Sequence, residues 1–150
     1  MKYVVASVDE IPPGQRKLVE VAGREIGVFN IAGDYVAVLN RCPHQGGPLC
    51  RGNTHGFLRP AGVGEFRYSR AGEILRCPWH GWEFDLRTGQ SWCDPRRLRV
   101  RSYEVSVEHG SVLTAEASAP ARGLVRGPYV VETYAVSVEG RYLVVDVPTR

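Results

Sequence analysis

Nowhere in its 150 residues does the chain hold an apolar run of the roughly 20 residues needed to cross a bilayer. The opening segment, Met1 to Glu10, also lacks the apolar core of a secretory signal. Together these absences predict a cytoplasmic protein with no membrane partner. An excess of one charge sign is missing too: the net charge of +3 is too small to imply nucleic acid as a partner. Apolar residues at a 3.6 period never persist long enough to define a helix, so the elements expected are strands. The length suits one domain with a core of ordinary size.

What the chain does contain is two short loops, each carrying one thiolate and one imidazole. The second, Cys77-Pro-Trp-His80-Gly-Trp-Glu-Phe-Asp85, places Cys77 and His80 three residues apart beside a glycine. The first is Cys42-Pro43-His44-Gln45-Gly46-Gly47-Pro48. Thiolates favour iron–sulfur clusters and zinc, and imidazole suits iron, zinc and copper, so ligand type alone leaves iron–sulfur and zinc open. A structural Cys₂His₂ zinc site is the plainer reading. Zinc fingers, however, pair C-x-x-C with H-x₃₋₅-H, whereas here each half is mixed. One ultraviolet–visible spectrum separates the two, because a zinc site is colourless.

C-x-H followed by C-x-x-H, with Gly46 and Gly47 after the first pair and Gly81 after the second, resembles the Rieske iron–sulfur family. The resemblance implies a [2Fe–2S] cluster, one per chain, with two cysteines on one iron and two histidines on the other. By that resemblance Cys42 and Cys77 would bind the buried iron, and His44 and His80 the outer one. Glycine lets backbone approach the sulfides closely, amides aimed at sulfur tune the potential, and proline after each cysteine stiffens the loop. With two cysteines claimed, Cys50 and Cys93 are expected as free thiols in a reducing compartment.

Along the chain, Tyr3–Val8 reads as a strand stopped by Ile11-Pro-Pro-Gly14. Lys17–Val21, Glu25–Ile31 and Tyr35–Leu39, separated by Ala22-Gly23-Arg24 and Ala32-Gly33-Asp34, read as an antiparallel meander running into Cys42. Residues 45–76 exceed the gap usual in the Rieske family. Phe66–Tyr68 and Glu73–Arg76, joined around Arg70-Ala71-Gly72, predict an inserted hairpin there, with His55 a solvated loop residue. Trp82–Asp85 is a strand, followed by a turn at Arg87–Gln90. Leu98–Glu108 alternates, followed by a His109-Gly110 turn and a strand to Ala115. Residues 117–123 look like a loop, and 130–140 repeats the pattern of 100–110, predicting two similar hairpins. Arg96, Arg97, Arg99 and Arg101 form a basic group expected on an exposed strand face. The expectation is an all-β chain with antiparallel sheets and a cluster-binding subdomain carrying the two loops. It forms one domain over 1–150, with the cluster part at about 40–95 and base sheets from 1–39 and 96–150.

Departures from the pattern narrow the branch. The respiratory Rieske proteins add a loop-to-loop disulfide at positions held here by Gly47 and Trp79, and sulfur-directed hydroxyls at positions held by Trp82 and Phe84. They are also anchored by an N-terminal helix, which Met1 to Glu10 gives no reason to expect here. Lacking those hydroxyls, the chain is expected at the low end of the Rieske potential range. The second loop is most similar to that of the Rieske oxygenases, but those need a further iron held by two histidines and a carboxylate. Only His55 and His109 remain for it, far apart in sequence. The resemblance therefore implies an electron carrier more than a complete oxidoreductase: a ferredoxin with reductase and oxygenase-type partners, His44 and His80 being the exit route. A noncatalytic subunit or redox sensor of a larger complex is the alternative, and oxygenase activity assembled with another chain a weaker third.

Overall fold

The computed structural model describes residues 1–92, 96–117, 129–130, 136–137 and 139–148. Among the described residues, ten strands and one α-helix follow in order, with short 3-10 turns at Val8–Glu10 and Leu49–Arg51. They are β1 (Lys2–Ser7), β2 (Arg16–Val21), β3 (Arg24–Ile31), β4 (Asp34–Leu39), β5 (Thr54–Gly62), β6 (Glu65–Arg76), β7 (Glu83–Asp85), β8 (Ser102–His109), α1 (Gly110–Ala117), β9 (Tyr129–Val130) and β10 (Arg141–Asp146). One sheet runs β2-β3-β4-β8-β10-β1-β9, and a smaller one runs β5-β6-β7. All pairings are antiparallel except β1 with β9.

The predicted meander is present as β2-β3-β4. Both of its reversals use an Ala-Gly pair with positive φ, at Ala22 (+50°) and Gly23 (+74°) and at Ala32 (+51°) and Gly33 (+96°). Two successive left-handed residues match the right-handed twist of the strands they join. Strand β3 is buried almost throughout because both its faces are covered. Ile26 and Val28 join the core with Val5, Ile11, Leu143 and Val145, while Phe29 and Ile31 join Leu49, Leu75, Phe84, Cys42 and Cys77. The strand is the wall between base and ligand loops, which accounts for its near-continuous apolar sequence.

The segment between the ligand loops is a hairpin, but its reversal lies elsewhere than expected. The turn falls between Gly62 and Glu65, with Gly64 at φ +73°. Arg70-Ala71-Gly72 instead forms a bulge inside β6, where pairing jumps from His55–Ile74 to Phe57–Ser69. Arg70 and Gly72 are both left-handed, at φ +53° and +76°, and such a pair can bulge a strand as well as reverse it. Arg70 is held there by Asp85 at 2.5 Å and Glu73 at 3.0 Å. Arg87 pairs with Glu73 and, at 3.1 Å, with Asp34. These ion pairs tie the small sheet to the β3–β4 turn. His55 is a half-buried strand residue rather than a loop residue: its Nε2 stands 3.2 Å from Glu83 Oε1.

The expected strand after His109 is replaced by α1. The slot beside β8 is taken by β10, from Arg141–His109 to Asp146–Glu104, so residues 110–117 have no edge to pair with. Leu113 packs instead with Val4, Tyr142 and Val144. His109 accordingly ends a strand rather than sitting in a turn. Of the anticipated second hairpin, Tyr129 and Val130 pair in parallel with Lys2 and Tyr3; residues 131–135 lie outside the described residues, as do Cys93 and 118–123 of the expected loop. Arg96, Arg97, Arg99 and Arg101 are exposed, but in the irregular segment leading to β8 rather than on a strand face.

Candidate metal centre

Each ligand loop leaves a strand end and is closed by the same backbone ties. In the first, Gly46 N–H donates to the Cys42 carbonyl at 2.7 Å and Cys42 N–H donates to the Gly47 carbonyl at 2.8 Å. In the second, Gly81 N–H donates to the Cys77 carbonyl at 3.0 Å and Cys77 N–H donates to the Trp82 carbonyl at 2.8 Å. Gly46 (φ +81°) and Gly81 (φ +73°) take the left-handed conformation these closures require. The two loops are thus structural counterparts although one spaces its ligands C-x-H and the other C-x-x-H.

The fold brings the expected side chains together in two pairs, Cys42 with Cys77 and His44 with His80. Cys42 and Cys77, each 2 % exposed, share the core with Phe29, Leu75 and Phe84. Burial pushes the Cys42 thiol up from its ordinary pKa, His44 N–H pulls it back, and the neighbouring Cys77 raises it further. The His44 and His80 rings stand edge to face with centroids 5.0 Å apart. His44 is half-buried and His80 exposed.

These residues fit an iron–sulfur group. His44 Nδ1 is buried without a hydrogen-bond partner, a costly arrangement unless the nitrogen has a ligand to serve. The paired buried thiols would give up their protons to a metal. Among the described residues no three His, Cys, Asp or Glu side chains converge as a single ion requires, whereas a bridged iron pair takes two ligands on each metal.

Three neighbours were not legible as site residues. Trp82 lies on His44, with centroids 4.4 Å apart and planes 22° from parallel. Trp79 packs over Gly47 so closely that a Cβ on the glycine would stand 2.8 Å from its ring and 3.2 Å from Cys77 Sγ. The positions where a disulfide could have joined the loops are therefore joined by an indole lying on bare backbone. Cys50, the third free thiol, is fully buried against Gly27, where a Cβ would meet its Sγ at 2.5 Å. Its pKa is pushed by burial from 9.0 to about 12. Arg16 braces this region by donating to the Cys50 carbonyl at 2.9 Å and to that of Gly52.

Two Cys/His loops held against a double-sided β scaffold define a mixed-ligand iron–sulfur protein. The chain belongs to the Rieske [2Fe–2S] domain family, which matches residues 1–104. It is 30 % identical over 108 residues to a Ralstonia ferredoxin component of naphthalene 1,2-dioxygenase/salicylate 5-hydroxylase systems, covering 72 % of this chain and 88 % of that protein. It is 31 % identical over 120 residues to a 4β-methylsterol monooxygenase of Methylococcus capsulatus, covering 73 % of this chain but only 28 % of that enzyme. Among solved structures, the ferredoxin of carbazole 1,9a-dioxygenase from Nocardioides aromaticivorans superimposes with a TM-score of 0.57 at 29 % identity, covering 72 % of this chain and 90 % of that one. The similarity thus extends over nearly whole ferredoxins and over one segment of the larger enzyme. No helix among the described residues is long and apolar enough to cross a membrane.

Proposed function

We propose that this chain is a soluble, cytoplasmic one-electron carrier, a Rieske ferredoxin that takes an electron from a reductase and delivers it to an oxygenase-type acceptor. Cys42 and Cys77 hold the inner iron, and His44 and His80 the outer one. The whole chain works as one domain in which the two ligand loops ride on base sheets from both termini. Bound there, the [2Fe–2S] cluster supplies a centre that accepts and releases one electron; the protein sets its potential and access.

The observation that carries this reading is the contrast in burial across the site. The sulfurs are buried in the core with Phe84 and Leu75, while the His80 ring is exposed. An electron can leave through the imidazole edge without water reaching the thiolates. His44, stacked between this edge and Trp82, is the better shielded of the two rings. The ferredoxin components among the relatives support the same reading.

Iron and acid-labile sulfide analysis with electron paramagnetic resonance tests the assignment. Two irons per chain and a Rieske signal are expected, and His80→Ala should abolish both the signal and electron transfer. A colourless protein holding one zinc, or a His80→Ala protein that still transfers electrons, would defeat it.

A further inference from the structure

The ligand loops repeat one feature beyond the ligands themselves: Arg-Cys-Pro opens both, as Arg41-Cys42-Pro43 and Arg76-Cys77-Pro78. The fold treats the two arginines alike. A Cβ placed on Gly46 would lie 3.6 Å from Arg41 Nε and 3.7 Å from its Nη2. One placed on Gly81 would lie 3.2 Å from the same two nitrogens of Arg76. Each guanidinium therefore folds over the left-handed glycine just beyond its own loop's histidine. The two cations flank the His44–His80 edge from opposite loops.

Both arginines are exposed, and among the described residues neither has a carboxylate within ion-pair distance. Arg51, Arg70 and Arg87 do. Of the nearby acids, Glu25 lies 3.6 Å from Arg51, and Glu83, across the strand pair from Arg76, stands 3.2 Å from His55 Nε2 and outside ion-pair distance of Arg76. Arg76 also shares an open cleft with His80 and Arg51. Two guanidinium groups outside any ion pair among the described residues thus stand where the electron would leave. Charge of one sign around such a point steers partners and sets their orientation more than it adds affinity.

We propose that Arg41 and Arg76 form a paired cationic rim that seats the carboxylates of an acidic redox partner protein over the His44–His80 edge. This rests on the carrier reading. A guanidinium offers a carboxylate two parallel donors, so two of them on opposite sides of the edge fix the partner's orientation as well as its approach.

The test uses the reduced holoprotein and two one-electron oxidants of opposite charge, followed by stopped flow. One is hexacyanoferrate(III), which becomes hexacyanoferrate(II); the other is hexaammineruthenium(III), which becomes the ruthenium(II) complex. At low salt, R41Q/R76Q should slow the reaction with the anion about tenfold, speed that with the cation, and flatten the salt dependence of both. A change in potential would move both rates in the same direction, so opposite shifts isolate the field at the rim. R59Q/R67Q removes the same charge from the exposed β5–β6 hairpin and should leave the anion-to-cation ratio unchanged. Poly-L-glutamate, standing for an acidic protein surface, should slow transfer in the unsubstituted protein and not in R41Q/R76Q. If the double variant does not load its cluster, R41Q alone serves, with a shift of about threefold. A loaded variant with an unchanged ratio, or equal inhibition by poly-L-glutamate, overturns the rim. An unsubstituted holoprotein that reduces neither oxidant overturns the carrier reading instead.

Discussion

Trp82 is a platform for His44. Its indole lies nearly parallel to the imidazole, 22° off with centroids 4.4 Å apart, at the position where the resemblance to the respiratory branch would place a hydroxyl. Stacking of this kind is worth about 0.5–1.5 kcal/mol beyond area burial, and it holds the ring plane that a metal bond requires. Trp82→Ala should leave the fold intact while broadening the Rieske resonance and shortening cluster lifetime in air about tenfold. Unchanged line widths and lifetime would show that the stack does not hold His44.

Gly47 must be glycine because Trp79 and Cys77 occupy the space a side chain would take. Gly47→Ala forces a Cβ against the indole at 2.8 Å and against Cys77 Sγ at 3.2 Å, so iron content should fall to less than half. Removing the indole relieves the first contact and not the second. Gly47→Ala combined with Trp79→Ala should therefore recover part of the lost iron, measured as iron per chain. Independent, additive losses would contradict the contact.

Cys50 gives the pH dependence. Burial raises its pKa from 9.0 to about 12, so the folded state holds the thiol proton more tightly than the unfolded chain does. Its contribution is complete below pH 9 and is lost as pH rises toward 12. Three pKa units at about 1.4 kcal/mol each make about 4 kcal/mol the upper limit. Cys50→Ala cannot lose this contribution. Its melting temperature should fall less than that of the unsubstituted protein between pH 8.5 and 11, and parallel curves would refute the assignment.

The bulge in β6 depends on Arg70. It reaches Glu73 and Asp85, which are 8 % and 5 % exposed, and Arg87 approaches Glu73 from the other side. Removing one member of a buried ionic group leaves charge without compensation, at about 3 kcal/mol. Arg70→Gln should lower stability by about that amount in urea unfolding. Arg70→Lys, which keeps the charge and loses the fork, should cost about half as much. Equal stability of all three would show that the group does not hold the hairpin.

The potential follows from what surrounds the cluster. Neither Trp82 nor Phe84 has a hydroxyl to donate to sulfur, and Phe84 is fully buried. Donors to sulfur stabilise the reduced, more negative state, so their absence places the midpoint near the low end of the family range, about −150 mV. A redox titration followed by circular dichroism gives the value. A clearly positive midpoint would show that other groups dominate.

Much of the molecule was legible from local chemistry. The types of Cys42, His44, Cys77 and His80 narrow the site to iron–sulfur or zinc, because metals select ligands by softness, and it is the resemblance of their spacing to the Rieske pattern that implies the cluster. The meander was legible because Ala22-Gly23 and Ala32-Gly33 break apolar strands at positions where only certain residues tolerate left-handed backbone. The Arg70–Gly72 segment carried the same signal and misled, since left-handed residues mark a bulge as readily as a turn. Only the register of β6 against β5 separates the two. The helix at Gly110–Ala117 was hidden for a related reason: its sequence would suit a strand, but β10 already holds the edge beside β8.

The sequence by itself offered Cys42, His44, Cys77 and His80 as candidate ligands and pointed to strands as their carriers, because ligand chemistry and backbone preference are properties of single residues and their near neighbours. The tertiary structure alone decided that the sulfurs are buried while His80 is exposed, that Trp82 supports His44, that Trp79 covers Gly47 and that Cys50 is sealed against Gly27. Those contacts join residues distant in sequence. Close packing selects such partners by shape and leaves no periodic trace in the chain.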